Sequence, residues 1–393
     1  MKKRSILLVI IFFISIIILS VNSNNKYLVK EESLATYIDG EETDSFPTKG
    51  TVAFSKADCD NNTNIYWDND TWGLYVTNLN GKTKCNLYFK TLENAVTKIT
   101  NLASTDTVNM ASDDPDNNIR YIGANPNNYV YFNCSDYDNQ TRDTCEKWRI
   151  IGVFNNIEKE DRTKESLIKI IRDDNIGEFS WDYKSDKTYL NDWSTSALQK
   201  LLNTGAYYNG TEGIYYNNNA IASNVDFKKN GLKNDKTRNS IQDVLWNLGA
   251  TDSYEDVNSK KFYDLERGNN VYESRPVTWN GKIGLMYPSD YGYATSGGVS
   301  VSRAECINKP IFQYSSDENS DCLNDYLYKS SYHQWTLTPY LNNNSSLNID
   351  SAGYIRYNWT AWSYGIRPAL FLKSNILITS GDGSSNTPYQ LGL

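Results

Sequence analysis

His333 is the only histidine among 393 residues, and that scarcity removes more chemistry than any motif in the chain adds. Every Ser-His-Asp or Cys-His mechanism would have to run through this one side chain, for which a structural or exposed role is the expectation. No Cys-x-x-Cys pair occurs, so together with the lone histidine the sequence offers no zinc-site spacing. Positive charge is also short. The 39 Lys and Arg stand against 47 Asp and Glu, a net charge of −8, and no basic patch lies outside the first few residues. That balance argues against nucleic acid as a partner. No repeat of solenoid period is visible.

What is present begins with Met1-Lys2-Lys3-Arg4, followed by an apolar run from Ile6 to Leu19 broken only by a hydroxyl. Cations ahead of such a run hold it with its start on the cytoplasmic side, as a secretory signal or a signal anchor. No cysteine follows the run, so a lipoprotein-type anchor is not expected. The segment from Ser5 to Val21 sits at the lower length limit of a membrane span, and Val21-Asn22-Ser23 is not a clean cleavage site. The expectation is an uncleaved transmembrane anchor over 1–25, with the bulk outside the cell membrane; cleavage would leave the protein secreted.

Six cysteines in an exported chain read as disulfides. Six allow 15 connectivities, and the expected one is sequential: Cys59 with Cys85, Cys134 with Cys145, Cys306 with Cys322, each closing a short loop. Aromatic residues are 13% of the chain, including 30 Tyr, too many for a disordered tail. Asn runs such as Asn342-Asn343-Asn344 accompany them. They reflect base composition or a polar contact surface rich in Tyr and Asn.

The expected organisation is an anchor over 1–25, a tether over 26–36, a small β-rich module over 37–90, a linker with a helix over 91–109, and an α+β domain over 110–393. In the module, short β-branched or alternating runs are divided by Asp, Asn and Gly, and Asn80-Gly81 is a hairpin signal. Leu92 to Leu102 has helical spacing. In the large region, strands are expected at Tyr129-Val-Tyr-Phe, Trp148 to Phe154, Leu167 to Arg172, Trp335 to Thr338, Leu347 to Asp350, Tyr354 to Tyr357 and Ile366 to Leu372. Two helices are expected, one from Thr195 to Asn203 with Asp192 or Ser194 as cap, the other from Asn239 with Gly249 as its stop.

The order Trp335-Thr-Leu-Thr-Pro339, Asp350-Ser-Ala-Gly353, Gly365-Ile-Arg-Pro-Ala-Leu370 resembles the C-terminal core of an uncharacterised family of bacterial extracellular domains. That family is similar to the C-type-lectin-like fold shared with the formylglycine-generating-enzyme group. Asn191-Asp-Trp-Ser-Thr-Ser and Lys282-Ile-Gly-Leu-Met-Tyr-Pro-Ser-Asp-Tyr-Gly support the likeness. The ending from Thr379 to Leu391 is similar to that of surface proteins of low-GC Gram-positive bacteria, and residues 36–90 resemble a β-module that precedes such domains. The resemblance implies an antiparallel sheet with two helices and a loop-rich face. It also implies that Trp335 and Arg367 are structural, and that ligand contacts fall between Tyr340 and Tyr364. The candidates there are Asn342, Asn343, Asn344, Asp350, Tyr354, Tyr357, Trp359, Trp362 and Tyr364. Glu-Pro-Asn and Gln-Pro-Asp are missing, so the calcium–sugar site of animal lectins is not implied, and the enzyme group's cysteine pair has no counterpart.

Tyr357, Trp359, Trp362 and Tyr364 carry the weight of a binding site, since rings spaced along a strand can share one surface. The competing expectation is that Trp359 or Trp362 fills the core. Asp113-Asp114-Pro115-Asp116 could hold a glycosidic bond between carboxylates. It reads better as a polar turn, or at most a calcium loop. Asp58, Asp60, Asn62 and Asn64 alternate as in an EF-hand, without its Gly and Glu. No other cofactor is called for. These features favour a surface protein that binds a glycan, a cell-wall polymer or another surface protein without catalysis. A carboxylate-dependent extracellular hydrolase and a structural coat component are the rivals.

Overall fold

The structure, a computed structural model, describes residues 34–60, 63, 65–68, 71–76, 83–217 and 221–393. The anchor over 1–25, the Asn80-Gly81 turn, and Asn62 and Asn64 lie outside the described residues. Among the described residues no helix is long and apolar enough to cross a membrane. They form two compact units whose boundary falls between Glu93 and Asn94.

In the first unit, Val52–Cys59 and Cys85–Thr91 pair antiparallel, with Cys59 opposite Cys85. Leu34–Ile38 joins the other edge of Cys85–Thr91 in parallel, and Glu41–Thr43 completes a four-stranded sheet. That first strand begins inside the span expected as tether. Its core is small: Val52, Trp67, Leu87 and Phe89 are buried, and Phe54 stacks on Trp67 at 5.1 Å. The Cys59–Cys85 bond closes this sheet, which suits a core too small to be comfortable alone.

The second unit is mixed α+β, and the described chain as a whole has seven α-helices, short ones, where two were expected. Ala95–Ala103, read from sequence as a connector, is capped by Asn94 and buries Ala95 and Ile99 in the unit's own core. A seven-stranded sheet is centred on Glu146–Glu158 and Lys164–Arg172. From Trp148 to Phe154 every residue of the first of these strands is buried, as befits a strand covered on both faces. At Gly152 the strand slips register, and an added Cβ would meet the Ile119 carbonyl oxygen at 1.9 Å. Gly152→Ala should therefore cost about 3 kcal/mol, the upper end of overpacking, read as a lowered urea midpoint with unchanged m-value. An unchanged midpoint would refute the close approach.

The helix expected from Asn239 is a correction. The helix present is Asp235–Ser240, and Val244–Asn247 is a strand paired with Thr278–Gly281. Val244 and Trp246 alternate into the core, so the period is two, and the β-branched and aromatic side chains fit a pleated surface better than a helix. The other helix begins later than expected, at Ala197, with the Ser196 hydroxyl accepting from Gln199 N; Asp192 caps the preceding turn of 3₁₀ helix instead. Cys134–Cys145 and Cys306–Cys322 form as expected.

Candidate functional site

A five-stranded sheet carries the 340–364 window. Its order is Glu178–Ser180, Ser363–Gly365, Gln334–Pro339, Ser345–Ile349, Ile355–Trp359. The last strand lies at the edge, and Ile355, Tyr357 and Trp359 share a face by alternation. Ile355 is buried, whereas Tyr357 is 41% exposed and Trp359 55% exposed. Tyr340, the residue after the strand Gln334–Pro339, stacks flat on Tyr357 with centroids 4.3 Å apart. Tyr254 meets Tyr357 edge-on at 5.4 Å, and Phe312 and Tyr354 continue the run of rings. The Arg356 guanidinium lies 5.0 Å over Phe312 and 4.7 Å over Tyr354. Such offset and edge-on contacts fix the rings' orientation beyond what burial alone supplies.

Beyond the tight turn in which Trp362 N donates to Trp359 O, a second aromatic group forms. Trp362 is 44% exposed and sits 6.3 Å from Tyr364. Tyr364 stacks on exposed His333 at 5.1 Å and leans on buried Trp335 at 4.7 Å; burial pushes its hydroxyl up to about 12. Burial of Trp359 or Trp362 in the core, the competing expectation, is not what the chain adopts.

The polar candidates are spent on structure. Asp350 Oδ1 accepts from Ala352 N and Tyr354 N, and Oδ2 from Arg356, closing the hairpin. Asn342 Oδ1 accepts from Asn344 N and Ser345 N. Asn344 gives its carbonyl to Thr360, and exposed Asn343 takes two bonds from Arg275. Arg367 is buried, donating to the carbonyls of Arg172 and Leu327 and to Gln334 Oε1, and the Trp335 indole donates to Phe179 O.

Asp113 is bidentate to Arg303, Asp114 is paired with Arg120 at 2.7 Å, and Asp116 accepts from the Tyr263 hydroxyl. Asp58 pairs with Lys56. Among the described residues no group of three or more His, Cys, Asp or Glu could hold a metal ion, and Asp58, Asp113, Asp114 and Asp116 are each answered by a protein cation or hydroxyl.

Sequence reasoning missed Tyr254, which packs against Tyr357, the Phe312 and Arg356 that pack with Tyr354, and Arg275 and Asn191 behind the Asn342–Asn344 turn. Asn191 N donates to Asn343 O, and its Nδ2 donates to Tyr340 O and Ser345 O. The Asn191-Asp-Trp motif was visible, but nothing in its spacing says that it buttresses a turn some 150 residues on. No family model, no curated protein and no solved structure matches the chain.

Proposed function

We propose that the chain is an exported, membrane-tethered surface protein of C-type-lectin-like fold that binds a ligand through the aromatic face of residues 340–364. A glycan or cell-wall polymer fits that face better than a protein partner, because flat, half-exposed rings beside amides suit the apolar faces and hydroxyls of a sugar. One observation carries the reading. Trp359 and Trp362 are both exposed and both in this window, while every other tryptophan is buried or half-buried. Three disulfides are in keeping with export. The hydrolase reading loses its candidates, since Asp113, Asp114 and Asp116 are engaged.

The test is an array of glycans and cell-wall polymers probed with the full chain in a detergent lacking a sugar head group. A variant carrying Tyr357→Ala, Trp359→Ala and Trp362→Ala runs beside it. The variant should stay folded, losing only about 1–2 kcal/mol with the contacts of Tyr357 to Tyr340 and Tyr254, and lose affinity by at least about 30-fold, roughly 2 kcal/mol. Binding untouched by the changes would move the site elsewhere. Silence from the wild type would favour a protein partner or a coat role.

A further inference from the structure

Tyr357 and Trp359 stand exposed on one face of the edge strand Ile355–Trp359, with Tyr340 stacked on Tyr357 and Tyr254 set edge-on to both tyrosines. The charged groups around these rings do not balance. Asp252 and Glu255 are exposed, and neither has a cation within ion-pair distance among the described residues. Glu255 Oε1 accepts from the Tyr254 hydroxyl at 3.2 Å. The Tyr340 hydroxyl donates to the Asp252 carbonyl at 2.7 Å, which sets Asp252 beside the stacked pair. Burial, then the Tyr357 hydroxyl and the charges of Asp252 and Glu255, push the Tyr340 hydroxyl above its ordinary value. Both carboxylates therefore cast their field on that ring. The cations nearby are already answered. Arg356 pairs with Asp350 at 3.3 Å and lies over Phe312 and Tyr354. Lys261 faces Asp256 at 3.8 Å, and Arg275 donates to the carbonyls of Asn342 and Asn343 in the fields of Asp192 and Glu273.

Two unanswered carboxylates at the rim of a surface of rings set the sign of what settles on it. A polymer of phosphates or uronic acids would bring like charge against them. A neutral sugar would stack on the rings and leave the carboxylates unused. An ammonium draws on both, because the faces of Tyr and Trp attract a cation through the ring quadrupole and the carboxylates supply the opposite charge. On a sugar that group is a free amine, since an acetylated nitrogen is a neutral amide.

We propose that the ligand of the 340–364 face is a saccharide with free amino groups, a glucosamine-type polymer whose rings stack on Tyr357 and Trp359 while Asp252 and Glu255 draw its ammonium groups. That identification rests on the binding reading above, to which it adds the ligand's charge. The full chain, carried in a polyoxyethylene detergent, is titrated calorimetrically with a glucosamine hexamer and, separately, with the N-acetylated hexamer. The titrations run at about pH 5.5, where Asp and Glu are ionised and the sugar amines are protonated. In about 20 mM salt the glucosamine hexamer should bind at least about tenfold tighter. At about 0.5 M NaCl, where the Debye length is only about 4 Å, the advantage should shrink below about threefold. Asp252→Asn together with Glu255→Gln, both at exposed positions, should stay folded, lose the same advantage and leave binding of the N-acetylated hexamer where it was. An equal or tighter grip on the N-acetylated hexamer overturns the ammonium and spares the face. A preference that survives the double substitution, or that survives Tyr357→Ala, Trp359→Ala and Trp362→Ala, is attraction to an acidic protein at large and overturns it as well. Silence toward both hexamers overturns it whatever the array shows, and array binding lost in the triple variant then leaves the face standing.

Discussion

Asp290→Asn should lower the stability of the second unit by about 3–5 kcal/mol, the range for breaking a buried ion pair from one side. Asp290 sits in the helix Pro288–Ala294, and all seven residues of that helix are buried. Its two oxygens meet Lys169 Nζ at 2.5 Å and Arg120 at 2.9 Å, and Arg120 also holds Asp114. These four side chains are almost entirely removed from water. The Lys169 amine lies 4.5 Å from the Tyr287 ring centre and 5.3 Å from that of Phe154. Burial opposes a charge on Asp290, but the fields of Lys169 and Arg120 outweigh it and hold the carboxyl down at about 2. Remove the charge, and Lys169 loses its ion-pair partner while Arg120 keeps only Asp114. For a unit of this size the thermal midpoint should drop by roughly 10 °C. Lys169→Met should cost less, because Asp290 keeps Arg120, and adding it to Asp290→Asn should recover part of the loss. A single Asp290→Asn variant as stable as wild type would show that the network is not an energetic unit.

That network marks where sequence reasoning stops. Arg120, Lys169 and Asp290 lie on two strands and a helix far apart in the chain, and each alone looks like a surface charge. Local features were readable: Trp148 to Phe154 is too uniformly apolar to be anything but a central strand, and sequential pairing of the cysteines needed only short loops. The error at Val244-Leu-Trp-Asn came from the same kind of evidence. Four residues of mixed apolarity fit either period, and only the partner strand Thr278–Gly281 decides. In the candidate site, the aromatic residues could be named in advance because Tyr357, Trp359, Trp362 and Tyr364 lie close together in sequence, on the edge strand, the turn after it and the strand that follows. The neighbours that orient them could not: Tyr254 reaches Tyr357 from a loop, and Phe312 reaches Tyr354 from a turn of 3₁₀ helix. Asp350 was named for its place between Tyr340 and Tyr364 and proves to be a turn closure, since a carboxylate next to successive free N–H groups is the stock of Asx turns.

Stability of the second unit should be greatest near pH 4–5 and fall toward pH 8, opposite to the trend set by ordinary paired carboxylates. Two buried acids cause this. Burial pushes Asp325 up to about 8: its Oδ1 accepts from Leu327 N at 2.6 Å, but Oδ2 has no partner among the described residues. Burial pushes Glu266 up to about 7, against the pull of Arg267 and of the Ser289 N–H and hydroxyl. Between their unfolded values, near 4, and these folded values, the native state binds more protons than the unfolded chain, so each step up in pH lowers the unfolding free energy. The contribution is complete below pH 4 and gone above about 8. Asp290 works the other way: its depressed value supplies stability that is present above pH 4 and lost as pH falls toward 2. Urea unfolding should therefore show a loss on the order of 2–5 kcal/mol from pH 5 to pH 8. Asp325→Asn should flatten that slope by more than half, and Glu266→Gln should remove about half of it between pH 5 and 7, leaving the share that Asp325 contributes. A wild-type protein equally stable at pH 5 and 8 would mean that water or a neighbouring cation reaches both carboxyls, and that the core around Asp325 is more open than its packing indicates.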